Sequence, residues 1–451
     1  VDGTTAVALM SSYLKTRYDA IATYIPDRYS EGYGISYDGI DFAKDNNVSL
    51  IIVLDCGVKA VEKVAYANAQ GIDFIICDHH RPGDKLPEAV AVLDPKRVDC
   101  NYPYKELCGC GVGFKLIQAL ALKDGKTVED LTVYLDLVAT AIGADIVPIT
   151  GENRVLAHYG LQVINSSPRP GIKAIIKQIK KAALTITDVV FIVAPRINAA
   201  GRMKHGDYAV ALLTETNIEL ADNYAAEIEV FNLNRRDADK RITQEALSQI
   251  ERQKEQKNHT TVVYDKAWHK GVIGIVASRL TETYYRPTLV FTKSQETLAA
   301  SARSVKGFDV YNALEACSAH IEQFGGHKYA AGLTLKEENY EAFKQAFEDE
   351  VSKTIDRNLL TPEIKIDSQL DFNTITPKFY RILKQFAPFG PGNMTPIFMS
   401  EHLTDTGYGK CVGEDKTHLR ITVKQPHSKP VSYTHLRAHE TNNSISYAVF
   451  C

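Results

Sequence analysis

Between residues 48 and 148, fully apolar runs alternate with amphipathic stretches. VSLIIVLDCG is β-branched and ends at Asp55, VKAVEKVAYANAQG has helical spacing closed by Gly71, IDFIICDHH is a second apolar run, and AVAVLDP follows a loop as a third. Runs apolar on both faces, alternating with helices, predict a parallel sheet covered on both sides. A helical segment, LTVYLDLVATAIGADIVPITGENR, carries Asp145 in an apolar setting and stops at Pro148. Residues 217–257 hold no Gly or Pro, and Ala238, Ile242, Ala246 and Ile250 recur every fourth position. That pattern predicts one long helix bridging two domains.

The polar stretch QIERQKEQKNH then yields to TTVVYD, a new strand and a new domain over about 258–350, with TLVFT, LAASARS and AAGLTL as further strands. From TPEIKIDSQLDF onward, short strands (PIFMSEHLTDTGY, HLRITVKQ) flank a helical insert, KFYRILKQFAP, and predict a small β-barrel. The boundaries are 1–215, a connecting helix 216–257, 258–350 and 351–427. The remainder, 428–451, is expected to stand outside the native fold, because its THLRAHET stretch has the look of an assembly artefact. The HxxxH spacing of His435 and His439 therefore carries no metal-site expectation.

Composition narrows the classes. A chain of 451 residues suits two to four domains, and 45% hydrophobic with 24% charged residues can bury real cores. No apolar run reaches the length of a membrane span, and VDGTTAVALMSSYLKTRYD lacks the pattern of a secretory leader. With a net charge of −3, any nucleic-acid surface must be a local groove. The eight cysteines form no CxxC pair, and Cys108-Gly-Cys110 has the wrong spacing for a zinc knuckle. A reducing cytoplasm is the simplest reading.

Chemistry enters at the strand ends. Three runs finish in an acid or a histidine: Asp55, Asp78-His79-His80 and Asp94. In open α/β sheets, sites form beyond the carboxyl ends of the strands. Asp55, His79 and Asp145 are a hard-to-borderline donor set without thiolate, which suits Mn²⁺ or Mg²⁺ over zinc. Two such ions about 3.5–4 Å apart can activate water and steady both oxygens of an in-line phosphoryl displacement. Asp94 before Pro95 reads as a turn residue, and Asp136 as structural. Asp78-His79-His80 reads differently, since buried charge must be paired or metal-bound.

These residues carry a resemblance. ICDHHRPGDKLPEAVAVLDPKR, LDCG and ATAIGADIVPITGENR resemble motifs of the DHH phosphoesterase superfamily. PRINAAGRM, WHKGVIGIVASRL, SARS and FGGHKYAAGL add a resemblance to its bacterial branch of single-strand-specific exonucleases, over residues 1 to about 427. The resemblance implies a parallel-sheet DHH domain, a long helix, a smaller α/β DHHA1 domain that binds nucleic acid, and a partial OB-like β-barrel. It implies metal-dependent 5′-to-3′ hydrolysis of single-stranded DNA to 5′-mononucleotides, in repair and recombination. Threading of the strand between the DHH and DHHA1 domains belongs to the same expectation.

Carried over residue by residue, Asp55, His79 and Asp145 are metal ligands for two Mn²⁺ or Mg²⁺ ions. His80 lies near the scissile phosphate, and Asp78 supports it. The family's first motif, D-x-D-x-D-G, survives only as Asp2-Gly3, so Asp2 is a weak ligand candidate. The displayed chain reads as a segment of a longer protein, whose missing aspartates leave the segment's own activity in doubt. Arg196, Asn198 and Arg202 are expected in a glycine-containing loop that holds phosphates. Gly325-Gly326-His327 reads as an anion nest with a donor side chain. Arg303 is a further phosphate candidate, and Trp268-His269 could stack on bases. Single-stranded DNA is the expected partner, with a RecQ-type helicase and a single-strand-binding protein as associates, no membrane, and a monomer. Rival readings are a phosphodiesterase of short oligonucleotides or cyclic dinucleotides, and a non-catalytic nucleic-acid-binding protein on the same fold. The third region and PRINAAGR argue against the first, and Asp55, His79 and Asp145 against the second.

Overall fold

A computed structural model describes residues 1–27, 30–177, 179–413, 416, 418–435 and 447–450. Helix α1 (Asp2–Leu14) is buried along most of its length and α2 (Tyr37–Asp45) follows it. Strands β1 (Leu50–Leu54), β2 (Asp73–Cys77) and β3 (Ala91–Leu93) form a parallel sheet in that order, with α3 (Val61–Asn68) between the first two. Leu54 pairs with Cys77 and Cys77 with Leu93, so all three strands end at one edge. One face packs Phe74 and Ile76 against Ile40 of α2 and Val64 of α3. The other packs Leu54 and Cys77 against α1, α4 (Gly109–Lys123) and α5 (Leu135–Asp145). The sheet is therefore covered on both sides, as its uninterrupted apolar runs demand.

The domain continues through α6 (Gly151–Ser166), α7 (Pro170–Ile176) and a short α8 (Ile186–Asp188). A π-helical turn at Val189–Val193 leads into α9 (Ala194–Met203), and α10 (Asp207–Thr214) follows. The PRINAAGR stretch, expected as a loop, is thus helix α9. Pro195 sits in its first turn, where a missing N–H costs nothing. Helix α11 (Ile218–Gln253) runs 36 residues, about 54 Å at the standard rise. The Asn217 side chain caps it by accepting from Glu219 N and Leu220 N. Its Ala221 and Ile228 belong to the DHH-side core, while Ile242, Ala246 and Ile250 pack with Trp268, Val276 and Leu280 of the next domain.

That domain is a five-stranded sheet in the order β4 (Thr261–Tyr264), β5 (Thr288–Ser294), β6 (Thr297–Arg303), β8 (Ala330–Leu335), β7 (Gln323–His327). Helix α12 (Ile273–Tyr284) packs with α11 on one face. Helices α13 (Val310–Ala316) and α14 (Tyr340–Thr354) cover the other, around Phe291, Phe343 and Phe347.

The third region has β9 (Ser368–Gln369), α15 (Pro377–Lys384), β10 (Phe398–Glu401), β11 (Thr404–Asp405), β12 (Lys410–Val412), β13 (His418–Lys424), β14 (Val431–His435) and β15 (Tyr447–Phe450). These make two small sheets over Phe372, Ile421 and Val423, with no closed barrel among the described residues. Within 428–451, β14 pairs with β13 and β15 with β10, and His439 lies outside the described residues. No helix among the described residues is long and apolar enough to cross a membrane.

Candidate metal centre

Strand ends and two helix ends converge at one edge of the parallel sheet. Asp55 follows β1 directly at φ 64°, a left-handed conformation that aspartate tolerates better than most residues. Its N–H still donates to Cys77 O at 2.9 Å, which ties it to the end of β2. Asp78 follows β2 and is buried, yet its carboxylate turns away from the centre. It accepts from Val58 N (2.9 Å), His79 N (2.8 Å), His80 N (3.2 Å) and His80 Nδ1 (2.8 Å). Burial pushes this carboxyl up, but the His80 ring and the Val58 N–H outweigh it and hold it down at about 2. Asp78 thus locks the turn and fixes the half-exposed His80 ring against that of His79, centroids 4.5 Å apart.

His79 points into the cluster. Its Nε2 lies 3.1 Å from Asp55 Oδ1, 3.6 Å from Asp145 Oδ2 and 3.8 Å from Asp2 Oδ2. Asp145 is the last residue of α5. Asp2 opens α1, is 4% exposed, and accepts at 2.7 Å from each of Gly109 N and Cys110 N. These are the first free amides of α4, where the helix dipole favours a carboxylate. Gly109 is required there: a Cβ would lie 2.5 Å from Asp55 Oδ1 and 2.7 Å from Asp55 Cα. The α4 start, C-G-C-G, is the functional element that sequence reasoning missed. Its signal in the sequence is a glycine at the head of an apolar helix.

Three carboxylates around one imidazole cannot all be satisfied by each other. His79 Nδ1 is buried with no hydrogen-bond partner, and His79 Nε2 and Asp55 Oδ1, buried as well, face each other at 3.1 Å. Burial, then the charges of Asp55 and Asp145, push the Asp2 carboxyl well up. Burial pulls His79 down, but Asp55, Asp2 and Asp145 outweigh it and raise it. Burial likewise raises Asp145. Such stored repulsion among orphaned donors is relieved by a divalent cation. The oxygen-rich set fits Mn²⁺ or Mg²⁺. Two overlapping groups, Asp55/His79/His80 and Asp2/His79/Asp145, each have donor atoms within 4.8 Å of one another. No cysteine belongs to either group, and burial pushes the nearby Cys56 and Cys77 thiols up to about 12.

The remaining candidates fall elsewhere. Asp136 is fully buried and engages the Arg169 Nε and N at 3.0 Å, a structural role. Asp94 Oδ1 accepts from Lys96 N at 2.7 Å as a turn residue, while its Oδ2 is buried without a partner. Arg196 and Arg202 lie on α9, not in a loop. Arg196 Nε sits 2.6 Å from Glu229 Oε2 of α11, and Arg202 Nη1 donates to Gly271 O at 2.7 Å across the domain junction. Asn198 is half-buried on the same helix. The turn holding His269 and Gly271 leads into α12, whose Gly274 lies against Arg303. Arg202, His269 and Arg303 therefore share the junction. Gly325, Gly326 and His327 form the exposed edge strand β7, not an open nest, and His327 and Arg303 flank Ala330 from opposite sides, about 10 Å apart. Trp268 is 4% exposed and donates to Glu245 Oε2 at 2.8 Å, so it is core and cannot stack on bases.

Fold and site together are those of the DHH family: a parallel-sheet domain with a carboxylate–histidine cluster at its strand ends, joined to a second α/β domain. Family models agree: the DHH family N-terminal domain matches residues 1–142, the DHHA1 domain 256–353, and the RecJ OB domain 366–447. The chain belongs to the family of the single-stranded-DNA-specific exonuclease RecJ. It is 36% identical to that protein of Bacillus subtilis over 95% of this chain and 54% of the relative, and 36% identical to that of Salmonella typhimurium over 88% and 72%. The chain thus spans between about half and three quarters of these relatives' length. Among solved structures, Thermus thermophilus RecJ in complex with Mn²⁺ superimposes over 99% of this chain and 63% of its own, with TM-score 0.82 and 26% identity. An exonuclease RecJ bound to manganese covers 79% and 88%, with TM-score 0.68 and 29% identity.

Proposed function

We propose that this chain forms the catalytic part of a metal-dependent 5′-to-3′ exonuclease that hydrolyses single-stranded DNA to 5′-mononucleotides. The observation that carries the reading is the cluster at the sheet edge, where buried Asp2 and His79 meet part-buried Asp55 and the exposed Asp145 with donor atoms close enough to share a cation. Those four residues would hold Mn²⁺ or Mg²⁺, two ions being expected, and the bound metal would supply an acidified water and neutralise charge on the phosphate. Asp2 and Asp55 are kept in place by the α4 amides and the glycine beneath them. His80, its Nδ1 committed to Asp78, directs Nε2 outward to a phosphate oxygen. Arg202, His269 and Arg303 at the junction, with Arg196, Asn198 and the Gly325-Gly326-His327 edge, bind the strand beyond the scissile bond. The work falls within DNA repair and recombination in the cytoplasm, by a monomer, with a RecQ-type helicase and a single-strand-binding protein feeding it.

The test uses the full-length protein, 5′-labelled single-stranded 50-mers and Mn²⁺. Labelled mononucleotide should appear first, and His79→Ala should abolish its release. An unchanged rate in His79→Ala refutes the metal assignment. Cleavage of dinucleotides with resistant 50-mers replaces this reading by the short-oligonucleotide one.

A further inference from the structure

The third region does more than adjoin the DHH domain. Its loop Pro388–Asn393 presses on the backbone directly after Asp145. Ile149 N donates to Pro391 O at 2.6 Å, and Arg154 Nη2 donates to Gln385 O at 3.2 Å and Phe386 O at 3.0 Å. The fit leaves no slack: a Cβ on Gly390 would lie 2.5 Å from Ile149 Cγ1, and one on Gly392 2.9 Å from Thr150 Cγ2. The loop braces itself as well. Asn393 Nδ2 donates to Phe386 O and Pro388 O, both at 2.9 Å, and Gly390 and Asn393 exchange backbone hydrogen bonds.

On the other side, the segment 146–150 is held under strain. Ile146 sits at φ 59°, the left-handed region, where a β-branched residue suffers a steric penalty of about 1–2 kcal/mol. Such a conformation persists only where its surroundings over-determine it. Here Tyr104 Oη (3.1 Å) and Asn153 Nδ2 (3.0 Å) donate to Pro148 O, Ile149 is 1% exposed, and Pro391 closes the set from the third region. We infer that the Pro388–Asn393 loop is a positioning element for Asp145, holding the Ile146–Thr150 segment so that the Asp145 carboxylate faces His79. The inference rests on the metal-centre reading. It gives the third region a direct hold on the chemistry, separate from any contact it makes with nucleic acid.

The experiment compares the full-length protein with Arg154→Ala, which releases the two carbonyls, and Gly390→Val, which wedges the loop off Ile149. Val423→Ala, in the third region's own core, controls for general loosening. Amide exchange of 146–150 is read without metal, and Mn²⁺ affinity by titration calorimetry. Both loop variants should speed exchange at Ile149 and weaken Mn²⁺ binding about tenfold, the usual cost of losing support behind a ligand. Val423→Ala should leave both unchanged. Mn²⁺ affinity at the unaltered level in Arg154→Ala and Gly390→Val overturns the inference, as does equal weakening in Val423→Ala. A full-length protein that binds no Mn²⁺ at all fails the metal-centre reading itself, and this inference falls with it.

Discussion

Gly109→Ala is a small change whose consequence the geometry sets. At an ordinary helix position, alanine for glycine stabilises by about 1 kcal/mol. Here the added methyl meets Asp55 Oδ1 at 2.5 Å, Cβ at 2.6 Å and Cα at 2.7 Å. The last distance falls about 0.8 Å short of normal carbon–carbon contact. The atom in the way is backbone, in a residue tied to Cys77 O and already at positive φ, so it cannot rotate aside. Relief must come from moving the start of α4, which also carries the Gly109 and Cys110 amides that hold Asp2. Overpacking of this kind costs about 1–3 kcal/mol, enough to cancel the helix gain and reverse it. Two carboxylates of the centre shift together, and a misplacement near 1 Å costs about 100-fold in rate. The assay is mononucleotide release from single-stranded DNA at saturating Mn²⁺ in the full-length protein, with calorimetric Mn²⁺ affinity and thermal melting in parallel. Wild-type rate, affinity and melting temperature in Gly109→Ala would show that α4 and Asp55 are not in the tight contact described.

Asp136→Ala strands the largely buried Arg169 without its carboxylate, and a fall of about 3–5 kcal/mol in urea unfolding is expected, since breaking a buried pair leaves an uncompensated charge. Asp2 and His79 are both raised in the metal-free site, so the bound protons favour the fold at low pH and that gain is lost as pH climbs through the folded values. Mn²⁺ must displace those protons, so its affinity and its stabilisation of the melting temperature should both be greater near pH 8.5 than near pH 6, with proton release visible in calorimetry across buffers of different ionisation enthalpy. A flat pH profile refutes the assignment of those two groups to the metal. Trp268→Phe removes the hydrogen bond to Glu245 and should cost about 1 kcal/mol of stability while leaving single-strand affinity unchanged by fluorescence anisotropy; weakened DNA binding at equal folding would restore the stacking role.

Local pattern alone was enough to read the DHH sheet. The cores LIIVL and FIIC are apolar at every position, as a strand covered on both faces requires, and their polar ends mark the edge where Asp55 and His79 meet. Asp145 was legible for a similar reason, as one acid at the end of an apolar helix. What escaped were properties that depend on elements far apart in the chain. PRINAAGR looked like a loop because of its Pro and Gly, yet Pro195 lies in a first turn and packing against α11 keeps the stretch helical. Trp268 looked available for stacking until Glu245, twenty-three positions away, took its N–H.

Donor chemistry is a property of residue type, so residue identity and pattern were enough to say which side chains could hold a hard cation and which strand ends would offer them. Their arrangement is not. Asp2 becomes a partner of His79 only because α4, more than a hundred residues later, presents two unpaired amides to its carboxylate. Asp145 keeps its place through a segment strained at Ile146 and pinned by Pro391, 242 positions beyond the Ile149 amide that it receives. Contacts between residues so far apart carry no period or spacing in the chain, and only the packed structure decides them.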